Sequence, residues 1–310
     1  MASIGDSDGA AKWRAATPVF SLLLAATLWG VFWFPLRWLE QLGLGGLWQT
    51  LFIYTGTLWV VVIIVWRQGA RFRSELGLAP WPLLFMALAS GWCNTAFILA
   101  MLEGEVMRVL LLFYLSPLWA TLIGWLFLKE ELHILSILVL VVALSGAVVM
   151  LWHPGMGYPW PHDAADWLAL SAGISFAILN SLVRFTDQVS IPVKTAVAWL
   201  GAIVISGVLI LFSGVGMSDV PFAAAGYAWL IGALLMVIMT FSVVYGVTHM
   251  PVHRSSVILL FELVAGAVSS QWLTDEVILP REWIGGALVI MAAWLSARRQ
   301  LQYPDEDLKV

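Results

Sequence analysis

Charge is what this sequence has least of: Asp, Glu, Lys and Arg make up 11% of 310 residues, against 61% hydrophobic residues. Its mean hydropathy is +0.92. A water-soluble domain carries about 25% charged residues, because its surface must be wet. A chain this poor in charge cannot cover itself with polar groups, so its outer surface faces lipid and a soluble enzyme is excluded. One cysteine, Cys93, excludes an intrachain disulfide. A net charge of -4 and the lack of any basic run argue against nucleic-acid binding. The five histidines hold no HExxH pair, so no metal and no cofactor is expected, and none stands mid-span to activate a serine. The four lysines, Lys12, Lys129, Lys194 and Lys309, fall at span ends or in loops, which argues against a retinal Schiff base. No low-complexity tract or extra soluble domain is visible. Met1 to Ala16 is polar and lacks the features of a cleaved signal peptide, so the first helix is expected to be retained.

What is present is a series of long apolar segments. A helix needs roughly 20 apolar residues to cross about 30 Å of hydrocarbon. Segments of this kind fall near Thr17–Leu39, Gly46–Trp66, Pro80–Met101, Met107–Leu128 and His133–Trp152. Five more lie near Ala165–Phe185, Val193–Phe212, Gly226–Val247, Ser255–Leu273 and Trp283–Ala297. Charged connections such as Arg67–Arg73 and His153–Asp163 read as loops. With a cytoplasmic N-terminus, Lys12, Arg14, Arg67, Arg71, Arg73, Lys129, Arg184, Lys194, Arg254, Arg298, Arg299 and Lys309 lie inside, and only Arg37, Arg108 and Arg281 outside. The positive-inside rule therefore favours ten helices with both termini in the cytoplasm, a multi-pass protein of a cell membrane such as the bacterial inner membrane.

The two halves overlay at a shift of about 146 residues, which sets Arg108 on Arg254 and Glu130 on Glu276. Phe97–Met101 falls on Val243–Val247 and, one residue further, Ala25–Arg37 falls on Ala172–Arg184. An odd number of helices per half inverts the second, so the expected fold is an all-α membrane protein of two inverted five-helix repeats, residues 1–152 and 153–310. Secondary carriers use such pairs, with the substrate site at mid-membrane where the halves meet. A duplication kept only for stability is the alternative.

In order along the chain stand Ala25-Ala26-Thr27-Leu28-Trp29-Gly30 with Phe32 and Phe34; Tyr114-Leu115-Ser116-Pro117-Leu118; Leu128-Lys129-Glu130-Glu131; Ser145-Gly146-Ala147; and Glu262 with Leu273-Thr274-Asp275-Glu276. This set resembles the drug/metabolite transporter superfamily, in particular its ten-helix members with two EamA-type repeats. The abundance of tryptophan, 19 residues, is similar to the aromatic amino-acid exporters of the YddG type. The resemblance implies efflux from the cytoplasm by alternating access, with the fifth and tenth helices outside the central cavity. The two halves differ where Trp29-Gly30 meets Phe176-Ala177 and Pro117 meets Leu263, so roles cannot be copied between them.

Glu262 reads as the only charge deep within a span. A carboxylate there costs roughly 3 kcal/mol on insertion scales, so it must face protein or water. Its helix presents Ser255, Glu262, Gly266 and Ser269 as a polar stripe. Glu262 then partners a substrate ammonium or a proton, or it is a structural acid bonded to a neighbouring helix. Pro117 and Pro35 lie inside spans and free the carbonyls of Phe113 and Val31; Pro117 is the candidate hinge. Asn94 and Asn180 can bind a substrate carboxylate or tie helices together. Tyr114, Ser116, Thr240, Ser242 and Tyr245 are hydroxyl candidates for the same site. Trp29 and Trp33 share a face with Phe32 and can line an aromatic cavity or pack between helices, as can Trp92. Trp38, Trp66, Trp152 and Trp272 read as interfacial belt. His249 and His253 read as solvated loop residues, and Cys93 as a packing residue. The function expected is a secondary carrier exporting small organic metabolites from the cytoplasm, foremost amino acids, with aromatic ones among the candidates. Alternatives are a multidrug or other metabolite exporter, or a membrane-embedded receptor or scaffold. A channel would need a filter or polar ring supplied by oligomer symmetry.

Overall fold

A computed structural model describes residues 4–103, 106–130, 132–152, 155, 161–214, 216–217, 220–273 and 279–302, and among them the secondary structure is helical, with no strand. The first span lies in α1 (Ile4–Gln41). The second is made of α2 (Gly46–Gly56) and α3 (Leu58–Gln68), and α4 (Ala70–Leu78) follows in the connection. Then come α5 (Pro80–Glu103), α6 (Val106–Phe113) with α7 (Ser116–Phe127), and α8 (Ile134–Leu151). The second half has α9 (Ala164–Phe185), α10 (Ile191–Ser213), and α11 (Phe222–Ile231) joined through a π-helical turn, Gly232–Met236, to α12 (Val237–Thr248). It ends in α13 (Val252–Leu259), α14 (Phe261–Leu273) and α15 (Pro280–Gln302).

Nine of these helical runs, among the described residues, are long and apolar enough to cross a membrane. The tenth expected span is present as α15 but is not one of the nine. Its uncharged stretch, Trp283–Ala297, is hemmed in by Arg281 and Glu282 before it and Arg298 and Arg299 after it. At about 1.5 Å per residue, that stretch covers only about 22 Å of a hydrocarbon layer about 30 Å thick. The connection expected as loop at Arg67–Arg73 instead continues α3 through Gln68 and enters α4. Glu131 and Thr274-Asp275-Glu276 lie outside the described residues, as does His153.

The hydropathy pattern predicts unbroken spans, and four are interrupted. At Thr57 the hydroxyl and the amide N–H both donate to the Tyr54 carbonyl, at 2.7 and 3.1 Å, which closes α2 a residue early. In the fourth span Pro117 has no N–H to give Phe113, and shorter i to i−3 bonds from Leu115 to Leu112 and from Leu118 to Leu115 take over. The ninth span breaks at Leu260, where the same pattern runs from Leu260 to Val257 and from Leu263 to Leu260 without any proline. Tyr114 and Leu260 are 146 positions apart, the shift at which the halves overlay. Pro35, in contrast, is carried inside the continuous α1.

Small residues bring the helices together, since lipid offers no hydrophobic drive for helix pairing and close contact must supply it. Gly146 of α8 and Gly285 of α15 face each other: a Cβ on Gly285 would stand 2.5 Å from the Gly146 carbonyl. Gly91 and Gly201 join α5 to α10, and Gly56 and Gly232 join α2 to the α11–α12 span. Gly30 brings α1 onto α14, and Gly173 brings α9 onto the Phe113 carbonyl that Pro117 frees. The packing partners run in matched sets, α5 on α9 and α10 against α12 on α1 and α11 on α2, with α6 and α7 on α9 against α14 on α1.

Glu262 is not alone as a charge within the bundle. Lys194, Arg254, Glu130, Arg108 and His253 are all buried, though the sequence places most of them in solvated ends. Helix termini and carboxylates receive several of the buried charges. Lys194 Nζ donates to the Val183 carbonyl at 2.7 Å near the end of α9, and Arg184 donates to the Thr248 carbonyl at 2.8 Å at the end of α12. Cations at C-termini satisfy orphan carbonyls and meet the negative end of the helix dipole. Arg108 pairs with Asp166 at 2.6 Å.

Glu75 of α4 does the complementary job. It accepts from the Ser190 N–H at 2.8 Å, ahead of α10, and from Arg71 at 2.7 Å. Burial pushes its carboxyl upward, but hydrogen bonding from Ser190 and Arg71 and the Arg71 charge outweigh that and hold it below the usual carboxylate range. A depressed folded-state value contributes stability that is present above the unfolded value, about 4.3, and lost as pH falls through the folded one. Glu75→Gln should therefore lower the melting temperature at neutral pH and flatten its fall below about pH 4. A pH–Tm profile in detergent measures both; parallel profiles for the two proteins would contradict this role.

Candidate functional site

Two of the interrupted spans, the fourth and the ninth, set the site. Tyr114 lies in the break between α6 and α7, where chain direction is freed by the proline three residues on. Glu262 stands in the first turn of α14, two residues past Leu260. There a negative charge meets the positive end of the helix dipole. The two side chains face each other closely enough for the tyrosine hydroxyl to donate to the carboxylate. The Glu262 backbone is fixed from the other side, because a Cβ on Gly30 of α1 would stand 2.6 Å from its carbonyl oxygen. The carboxylate thus sits where α1, α14 and the α6–α7 break meet, and Cys93 of α5 is near enough to interact with its charge.

An aromatic row adjoins Tyr114. The Phe113 ring lies 5.4 Å from the Tyr114 ring, 4.7 Å from Phe97 of α5 and 5.7 Å from Phe176 of α9. Phe97, Phe113 and Phe176 are partly buried, so the row is not sealed within the core. A carboxylate beside such a wall can hold a cationic or protonated group at one end and an apolar side chain at the other.

Other candidates find partners elsewhere. Asn94 of α5 accepts from the Tyr54 hydroxyl at 2.7 Å and donates to the Ser90 carbonyl, so it ties α5 to α2. Trp33 donates to Ser269 at 2.9 Å, and the Ser269 hydroxyl reaches the Gly30 carbonyl at 3.1 Å. Gly266 and Ser269 therefore belong to the α1–α14 seam, and the break at Leu260 removes Ser255 from their register; its hydroxyl donates to Val252. Trp29 is half-buried and edge-on to Phe32 at 5.3 Å. Thr240 accepts from Trp199 at 3.1 Å, and the Ser242 carbonyl accepts from Ser21 at 2.9 Å. Tyr245 lies against His249, ring to ring at 4.3 Å. Ser116 and Pro117 are buried at the start of α7. Asn180 is buried on α9 with an Nδ2 that has no hydrogen-bond partner. Trp92 donates to Ser171 at 3.1 Å across α5 and α9. Tyr54, Phe97, Phe113 and Phe176 were not singled out by sequence; the one available signal was the density of aromatic residues around Pro117.

His253 needs a correction: it is buried, not solvated, and its Nδ1 is 3.0 Å from Glu130 Oε2. His249 is exposed.

Residues 16–152 match the model of the EamA-like transporter family. Among curated proteins, the chain is 22% identical over 183 residues to an uncharacterized transporter of Pseudomonas aeruginosa, PA0485, across 57% of this chain and 58% of that one. It is 25% identical over 160 residues to an uncharacterized transporter of Bacillus subtilis, YojE, across 49% of this chain and 50% of that one. The matches thus span about half the length of these relatives. A solved crystal structure superposes with a TM-score of 0.71 at 16% identity, covering 92% of this chain and 98% of the other, which speaks to the fold alone. This multi-pass membrane protein is thus similar over residues 16–152 to EamA-like transporters.

Proposed function

We propose that the chain is a secondary carrier that exports small organic metabolites, amino acids and above all aromatic ones, by alternating access. The observation that carries this is the approach of Tyr114 to Glu262 where the fourth and ninth spans both break. Breaks at positions 146 residues apart, and packing partners in matched sets, support two inverted five-helix repeats, 1–152 and 153–310. Ten helices follow if α15 spans with its flanking arginines reaching toward the interfaces. The loop charges favour both termini in the cytoplasm.

In this reading the two halves rock around Glu262. Its carboxylate meets the substrate ammonium, or a proton in its place, and the row of Phe97, Phe113, Tyr114 and Phe176 holds an aromatic or aliphatic side chain. The hinge is the Pro117 break, which leaves α6 and α7 free to tilt separately. In proteoliposomes of purified protein, an outward gradient of phenylalanine or tryptophan should drive flux that excess unlabelled amino acid competes away. No flux for any amino acid, with the reconstituted protein shown to be folded, would sink the amino-acid reading.

A further inference from the structure

The motif Leu128-Lys129-Glu130 ends α7 in an unusual way. The Leu128 and Glu130 N–H groups both donate to the Gly124 carbonyl at 3.1 Å, and Lys129 between them takes φ 53. Glycine normally serves such a left-handed residue just past a helix end. A lysine there accepts left-handed strain, and the result is that Glu130 turns back toward the bundle. Gly124 makes room for it: a Cβ at that position would stand 2.8 Å from Glu130 Oε2.

Glu130 then crosses to the other half of the chain. Its Oε1 accepts from the Val252 N–H at 2.9 Å, and its Oε2 is 3.0 Å from His253 Nδ1. Val252 opens α13, and the residue before it is Pro251, which has no side-chain oxygen to cap the helix. The cap therefore comes from Glu130. All eight residues of α13 are buried, as are Glu130 and His253. At its other end α13 leads through Leu260 to Glu262, which faces Tyr114 just ahead of α7. The segments α7 and α13 are thus fastened at both ends, by Tyr114–Glu262 at the breaks and by Glu130 at the far end.

We infer that Glu130 is a positioning residue of the transport cycle, a clasp between the two halves. Held, it keeps α13 against α7 and closes the path from that end of the bundle to Glu262. Released, it lets α13 part from α7 and opens that path. The inference rests on the carrier reading for its use in transport, but the clasp itself is tested without any substrate.

The test places a single reporter, Ser256→Cys on α13, in a Cys93→Ala background, and reads its rate of maleimide labelling in nanodiscs. A second reporter, Ala147→Cys in the buried α8–α15 seam, reads general loosening. Glu130→Gln keeps the size and loses the charge that strengthens the cap. It should raise labelling at Ser256→Cys about tenfold, the order expected for losing one charge-assisted hydrogen bond, and leave Ala147→Cys unchanged. His253→Gln, which spares the cap on Val252, should shift it by only about threefold by the same argument and serves if the first variant does not fold. Equal labelling with and without Glu130, or a parallel rise at both reporters, would overturn the clasp. Labelling as expected in a protein that carries no amino acid would uphold the clasp and remove the carrier reading instead.

Discussion

Replacing Glu262 by glutamine is expected to cut amino-acid flux by about 100-fold while the folded protein still reaches the membrane. The glutamine is isosteric and its carbonyl oxygen can accept from Tyr114, so the seam of α14 with α1 and the α6–α7 break stays intact. What it cannot do is carry charge or exchange a proton. Losing one partner of a desolvated charge pair costs about 2–5 kcal/mol, and about 2.7 kcal/mol is a hundredfold. Tyr114→Phe removes the hydroxyl but leaves the carboxylate, so a smaller loss, about tenfold, is expected from one hydrogen bond to a charged group. If the two side chains act as one unit, the double variant should be no slower than Glu262→Gln alone. Flux measured with and without an imposed pH gradient separates the two roles of the carboxylate. A gradient effect present in wild type and absent in Glu262→Gln assigns the proton to Glu262. Wild-type flux in Glu262→Gln under both conditions would remove this residue from the mechanism.

The parts of this architecture that follow from lipid solvation were legible in the sequence. Of the ten spans expected from runs of about 20 apolar residues, nine recur among the described residues, and Glu262 stood out because a carboxylate among them demands a reason. The interruption at Pro117 was readable for the same kind of local cause, a missing N–H. The one at Leu260 was not, since Ile258-Leu259-Leu260-Phe261 contains no proline or glycine. That break coincides with tertiary constraints on both sides: Glu130 capping Val252, and Tyr114 and Gly30 holding Glu262. Helix register is likewise absent from a hydropathy profile, so Asn94 with Tyr54, Thr240 with Trp199 and Trp33 with Ser269 could not be paired in advance. His253 was misread because a residue near a span end counts as solvated until a buried partner, here Glu130, is seen to receive it.

Gly201→Leu is expected to leave no folded protein at all. Gly201 lies on α10 against the backbone of Ala87 on α5, so close that a Cβ would overlap the Ala87 carbonyl. Backbone cannot step aside as a flexible side chain can. From the other helix, a Cβ on Gly91 would stand 2.5 Å from the Gly201 carbonyl, so the approach is tight from both directions. Accommodating the leucine means driving α5 and α10 apart by more than an ångström along their shared seam. A radial gap of 0.5–1 Å already forfeits about a quarter to a half of each dispersion contact, and in lipid those contacts are the main attraction between helices. Gly201→Ala should already lower the melting temperature in detergent by several degrees, roughly 4 °C or more, and Gly201→Leu should yield only aggregate by size-exclusion chromatography. Gly226→Ala is the matched control: no atom lies within 4 Å of a Cβ placed on Gly226, so its profile should be that of wild type. A monodisperse Gly201→Leu peak with wild-type Tm would mean that α5 and α10 are not in backbone contact. The seam also joins the two halves, α5 from the first and α10 from the second. The same close approach that holds the fold together therefore bears any rocking of one half on the other, and larger residues are excluded there on both counts.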